Sequence, residues 1–182
     1  RNGSFEPVLA TGLKLADDKL SVTYYIRKGV KFHDGTDLDA EAVKFNFEAA
    51  MAAHLQVYWD HVEVIDPYTI KVYFKEYRNG LEYSGANVSI ASPTAANKNG
   101  SLDYIRKNPC GTGPFVFVSF QQDESFVAKK NTNYWDKEHM PYLDEIKIIY
   151  IPDQMTLKAA MQKGDAHAVP VELGKLAKDF LD

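Results

Sequence analysis

The chain has 182 residues, 45% of them hydrophobic and 25% charged, with a formal net charge of −4. That is a globular composition with material for one ordinary domain or two small lobes. It carries no basic block of the kind that marks a nucleic-acid binder, and its longest apolar run falls far short of the roughly 20 residues that cross a bilayer.

No signal peptide is legible at Arg1, and the chain reads as mature or trimmed. The polar run Ala16-Asp17-Asp18-Lys19 predicts a turn. LSVTYYIRK then alternates well enough to be a strand that pairs upstream or with its successor. Residues 25–32 are β-branched and aromatic and predict a strand, His33-Asp34-Gly35-Thr36 carries an Asp-Gly turn signal, and helical spacing begins after Leu38. Asp39 is placed to cap that helix and Glu41 sits where the helix dipole favours negative charge. Val43, Phe47, Ala50 and Met51 form its apolar stripe.

After the helix, residues 68–74 alternate Ile70, Val72 and Phe74 against Lys71 and Tyr73, a half-buried hairpin strand. Arg78-Asn79-Gly80 predicts a turn and 87–91 a strand leading into Ser92-Pro93. Lys98-Asn99-Gly100 and Lys107-Asn108-Pro109 punctuate a loop beyond. In Cys110-Gly111-Thr112-Gly113-Pro114 the glycines permit unusual backbone angles before a strand over 115–120. A tight turn is favoured over a phosphate cradle, because no Lys-Ser/Thr follows and a strand, not a helix, comes next. Cys110 is the single cysteine, so it forms no internal disulfide. Residues 125–129 complete a hairpin. The segment 145–151, EIKIIYI, is apolar on both parities and predicts a strand buried on both faces. Asp153 then caps a helix carrying Leu157, Ala160 and Met161, and Gly164 stops it.

Six of these motifs, in order, resemble the family 5 extracellular solute-binding proteins, the receptors of ABC importers for oligopeptides, dipeptides and nickel. They are the DDKLSVTYYIRKGV passage; IRKGVKFHDGTDLDAEAVKF, with Asp37 for the usual proline and Asp39 for the usual capping threonine; DPYTIKVYF; the step into Ser92-Pro93; NPCGTGPF with NTNYW; and the strand-to-helix passage ending in GDAHAV, where His167 replaces the usual aspartate. The resemblance implies an α/β fold of periplasmic binding protein-like class II, present as a single-lobe fragment with a mixed β-sheet and flanking helices. Residues 1–85 would form a strand-helix-hairpin subdomain of lobe I, 86–170 its sheet core, and 171–182 the start of a crossover to a second lobe. It further implies a monomeric, extracytoplasmic binder, periplasmic or lipid-anchored. Such a binder passes a peptide or other small solute to an ABC permease, with no cofactor, no catalysis and no nucleic acid.

In nickel-type relatives the loop after the long helix gives a tryptophan to the pocket, and the resemblance puts Trp59 there. Core and pocket readings of Trp59 both stay open. The cationic clamps of those relatives are Gln56 and Ser89 here, which lowers the nickel reading. Tyr134 lies where oligopeptide-type relatives approach the ligand, whereas Trp135 is assigned to the core. With Tyr58 and Tyr83, the candidate ligand-binding set is Gln56, Tyr58, Trp59, Tyr83, Ser89 and Tyr134. Two further readings compete. His54 and His61, seven apart with Asp60 beside them, could share a helical face and hold a metal for a hydrolase, though a surface or satisfied-core role is favoured. His33-Asp34 could form an acid-base pair, but neighbours on a turn point apart. An interaction or sensor module remains a third reading.

Overall fold

A computed structural model of the chain describes residues 6–98 and 102–169. In chain order these form β1 (Ala10–Leu15), β2 (Ser21–Ile26), α1 (Ala40–Ala52), β3 (Trp59–Asp66), β4 (Thr69–Phe74), a 3-10 segment (Leu81–Asn87), α2 (Pro93–Lys98), α3 (Leu102–Lys107), β5 (Phe115–Gln121), β6 (Ser125–Lys130), β7 (Glu145–Ile149) and α4 (Gln154–Lys163). Two sheets result, one ordered β1-β2-β4-β3 and one ordered β5-β6-β7.

The first sheet explains the alternation in the sequence. Its register sets Val22 against Val72 and Val72 against Val62, and Tyr24 against Ile70 and Ile70 against Val64. Two apolar rows therefore cross three strands on one face, where cross-strand pairs do most of the stabilising. α1 covers that face with Val43, Phe47 and Ala50, all buried. Phe47 packs edge-on to Tyr24 at 6.1 Å between ring centroids and lies 4.8 Å from Trp59. Asp39 caps α1 as expected, its carboxylate accepting from Ala42 N at 2.8 Å.

Several expectations are corrected. The strand over 25–32 stops at Ile26, because Gly29 turns the chain at φ 75° and the following residues fold back so that Phe32 N donates to Thr36 O. The strand over 87–91 does not form. The 3-10 segment runs through Asn87, and Ala91 and Ser92 are paired by the Asn46 side chain and by Cys110 O instead of a ladder. The loop beyond Ser92 holds the short helices α2 and α3. The segment 145–151 is a strand only to Ile149, and Ile148, Ile149 and Tyr150 are exposed while Ile146 is half-buried, because β7 is an edge strand among the described residues. Within the α/β class, the expected mixed sheet is two antiparallel sheets among the described residues. Short links such as Asp66 to Thr69 and Gln121 to Ser125 suffice for antiparallel neighbours, whereas a parallel pair needs a long crossover. The expected crossover at 171–182 lies outside the described residues.

One polar node ties the first sheet and α1 to the second sheet. Asp34 accepts from Thr36 N at 3.0 Å, from Thr36 Oγ1 at 2.6 Å and from Ser92 Oγ. Ser92, fully buried, donates its N–H to Cys110 O, and His33 N donates to Gly111 O. His33 Nε2 lies 3.0 Å from Gly113 O, which also accepts from Asn131 Nδ2 at the exit of β6. Arg27 adds a stacking contact, its guanidinium 4.8 Å from the ring of Trp135.

Candidate ligand-binding site

The loop after α1 and the 3-10 segment are fastened together around Ser84. His54 takes a left-handed conformation at φ 56° and turns the chain out of the helix. Gln56 Nε2 then donates to Ser84 O at 3.3 Å. Trp59 Nε1 donates to Ser84 Oγ at 2.8 Å, and Ser84 Oγ donates to Leu81 O at 2.6 Å. Leu55, Val57, Tyr58 and Tyr83 remain exposed around this clasp. The guanidinium of Arg78 lies 4.7 Å from the Tyr58 ring and is held there by Glu76 at 2.8 Å. The product is an aromatic and aliphatic rim whose amide, Gln56, points inward at the backbone.

Four of the six expected residues, Gln56, Tyr58, Trp59 and Tyr83, therefore come together, though not in equal roles. Trp59 is 1% exposed and belongs to the core, since its indole packs on Phe47 and its N–H is spent on Ser84. Ser89 is exposed on the extended stretch beyond the 3-10 segment. Tyr134 sits after β6, on the other sheet. It is buried against Trp135 at 5.3 Å, and that burial pushes its phenol pKa up.

Sequence reasoning missed Ser84, Asn46 and Ser92, the side chains that position the rim and its supports. Asn46, on the buried face of α1, donates to Ala42 O and Ala91 O at 2.8 Å each and accepts from Ala91 N at 3.0 Å. The available signal was a lone amide inside an apolar stripe, which has to find partners.

The competing chemistries lose their geometry. His33 and Asp34 do point apart, His33 to Gly113 and Asp34 to Ser92 and Thr36. The shared helical face expected for His54 and His61 does not exist, because α1 ends at Ala52 and His61 lies on β3. His61 stacks on Tyr73 at 4.3 Å with its Nδ1 2.7 Å from Asp60. Among the described residues no three His, Cys, Asp or Glu side chains converge as a metal site. Burial and the neighbouring Asp34 raise the Cys110 thiol pKa, the reverse of an activated nucleophile. An open groove of about 450 Å³ along α1, lined by Thr36, Asp39, Phe45 and Pro93 among others, contains none of the candidate residues.

Comparison with known proteins decides the family. Residues 4–181 match the family model of bacterial extracellular solute-binding proteins, family 5. The chain belongs to that family. Among curated relatives it is 36% identical over 176 residues to the glutathione-binding protein GsiB of Salmonella paratyphi A and 35% identical to GsiB of Shigella flexneri. Each alignment covers 90% of this chain and 33% of the relative, so the chain spans about a third of their length. The fold of this family 5 chain is shared by DppA of Helicobacter pylori, an ABC transporter-associated periplasmic binding protein solved with the peptide STSA. There the TM-score is 0.76 at 28% identity over 88% of this chain and 36% of that one. AppA of Bacillus subtilis, an oligopeptide-binding protein solved with a nonapeptide, gives 0.76 at 29% identity over 95% and 37%. NikZ of Campylobacter jejuni, solved with Ni(L-His), gives 0.77 at 25% identity over 90% and 34%. GsiB, DppA and AppA are described as binding proteins, DppA as associated with an ABC transporter, and no helix among the described residues is long and apolar enough to cross a membrane.

Proposed function

We propose that this chain is the ligand-gripping part of an extracytoplasmic receptor that captures a small peptide, of the size and polarity of glutathione, and hands it to an ABC permease. The observation that carries this reading is the 36% identity to GsiB running along 90% of the chain. The rim of Leu55, Val57, Tyr58 and Tyr83 supplies apolar and aromatic wall, the surface on which side chains and backbone of a short peptide can lie. Gln56 and Ser89 line the approach as neutral polar groups, with Trp59 holding the wall from behind and Tyr134 contributing from the second sheet.

In this reading residues 1–85 and 86–170 are the two parts of one lobe. Affinity comes from closing that lobe against a second one, because burial of most of the ligand's surface requires both sides. The protein works as a monomer, without catalysis, free in the periplasm or tethered to a lipid, and its docking partner is the permease. A chelated-metal ligand, as in NikZ, is the weaker alternative. Gln56 and Ser89 offer no positive charge to an anionic chelate, and Arg78 is engaged by Glu76.

Calorimetric titration of the protein translated from its complete gene tests the assignment, with glutathione, a set of di- to pentapeptides and Ni(L-His) as titrants. Micromolar or tighter binding of a peptide is expected. Uptake of Ni(L-His) alone overturns the choice of peptide, and no uptake of any titrant overturns both.

A further inference from the structure

The 3-10 segment carries a charge whose partner the described residues do not supply. Glu82 stands between buried Leu81, whose carbonyl accepts from Ser84 Oγ, and Tyr83, exposed on the rim. Its side chain is half-buried, and its Oε2 is closed to water with no hydrogen-bond partner among the described residues. A carboxylate oxygen taken out of water without a donor is expensive, so it calls for a partner or a role. The cations nearest in sequence are spent elsewhere. Lys75 Nζ donates to Val57 O at 3.1 Å, and Arg78 is bonded to Glu76 at 2.8 Å with its guanidinium against the Tyr58 ring. The neutral donors that reach the segment also pass the carboxylate by. Tyr24 Oη donates to the backbone carbonyl of Glu82, Gln56 Nε2 to Ser84 O and Trp59 Nε1 to Ser84 Oγ. The charge is nevertheless felt there: the Tyr24 phenol pKa is pushed up to about 12, by burial first and in smaller part by Glu82.

The clasp therefore sets an uncompensated negative charge one residue from Tyr83, beside a rim otherwise built of Leu55, Val57 and Tyr58. An acceptor of that kind, next to aromatic rings, suits a compact cation that brings several N–H donors, and a primary ammonium is such a group. A hydroxyl or amide would fill the lone pair of the oxygen but leave its charge unmatched, whereas an ammonium satisfies both at once. Every unblocked peptide carries one at its amino end. We propose that Glu82 receives the primary ammonium of the bound peptide, the complex completing an ion pair that the free protein lacks. The proposal rests on the peptide reading above and adds to it the residue that selects a free amine.

Calorimetry on the protein translated from its complete gene is the test, with glutathione, trialanine and the N-acetylated form of each as titrants. Wild type is expected to prefer the free amine on the order of 10- to 100-fold. Glu82→Gln keeps the shape and removes the charge. It is expected to lose affinity for the free amine by about that factor and to bind the acetylated form as wild type does, so that the preference largely disappears. If a free-amine peptide binds wild type and Glu82→Gln alike, the role of Glu82 is overturned while the peptide reading stands. If wild type takes up neither peptide, both are overturned. Urea unfolding of the ligand-free protein adds a readout that needs no peptide. Removing a charge without a partner is expected to leave the midpoint of Glu82→Gln unchanged or raised. A lowered midpoint assigns Glu82 a partner within the complete protein and overturns the proposal.

Discussion

Ser92 Oγ donates to Asp34 Oδ2 at 2.5 Å across 58 positions of sequence, and both groups sit where the first sheet, α2 and the Cys110–Gly113 loop meet. The contact does two jobs, because Ser92 Oγ also accepts from Ala95 N at 3.1 Å and so caps α2. Burial alone would push the Asp34 pKa up. The hydrogen bonds from Ser92, Thr36 and Cys110 outweigh it and hold the carboxyl below its ordinary value of 3.8.

Asp34→Ala is therefore expected to destabilise the fold by about 2–3 kcal/mol, the loss typical when a charged acceptor is removed and a buried hydroxyl is left without it. Urea unfolding measures the change. Since the folded-state pKa is depressed, the stabilisation is fully present above the unfolded carboxyl's pKa. It disappears as pH falls below 3.8 through the folded value. Wild type and Asp34→Ala should thus converge in stability in strong acid and stay apart at neutrality. Parallel curves through the acid range would remove Asp34 from the account.

Asn46→Ala strips Ala91 of the partners of both its N–H and its carbonyl, at a half-buried site. A cost of about 2–3 kcal/mol is expected. The amide of Ala91 should lose its exchange protection while those of β2 and β4 keep theirs. Uniform loss of protection would mean that Asn46 supports the whole core and not the 88–92 segment.

Gly85 is required by its neighbours: a Cβ there would lie 3.0 Å from Tyr24 Oη and 3.2 Å from Phe47 Cζ. Gly85→Ala should cost about 1–3 kcal/mol by displacing Tyr24, whose hydroxyl donates to Glu82 O at 2.8 Å and accepts from Gly85 N. Burial pushes the Tyr24 pKa up to about 12. A raised pKa contributes stability that is intact below the phenol's ordinary value of 10.0 and is lost as pH climbs toward 12. Spectrophotometric titration should show one late-ionising tyrosine in wild type and none in Tyr24→Phe.

Trp59 and the exposed rim should separate cleanly. Trp59→Phe removes the bond to Ser84 Oγ and some core volume and is expected to lower stability by about 1–2 kcal/mol with ligand affinity unchanged. Tyr58→Ala and Tyr83→Ala, at exposed positions, should leave stability within about 0.5 kcal/mol and weaken peptide binding on the order of tenfold. Calorimetry paired with thermal unfolding on the complete protein reads both quantities. The reverse assignment would put the ligand behind the clasp instead of on the rim.

Much of the local structure was legible because it is written in short-range chemistry. The Asp39 cap, the stripe of Val43, Phe47 and Ala50, the alternation of Ile70, Val72 and Phe74 and the Gly164 stop depend on neighbours a few residues away, and each appears where the spacing put it. The run 25–32 misled because its apolar residues are indeed buried, Val30 and Phe32 among them, while Gly29 breaks the extended path between them. Residues 87–91 misled in a similar way: the composition of a strand is there, but no strand among the described residues pairs with it, Asn46 takes the backbone groups of Ala91, and Cys110 takes the N–H of the following Ser92.

By itself, then, the order of residues determined the family, the helix caps, the hairpins and which faces are apolar, since all of these follow from spacing along the chain. Only the tertiary structure decided that Trp59 is core and Tyr58 is rim, that Ser84 clasps the loop to the 3-10 segment, and that Asp34 reaches Ser92. Those outcomes hang on contacts between residues as many as 58 positions apart. Spacing along the chain says nothing about which distant donor will be in reach of a given acceptor until the sheets have packed.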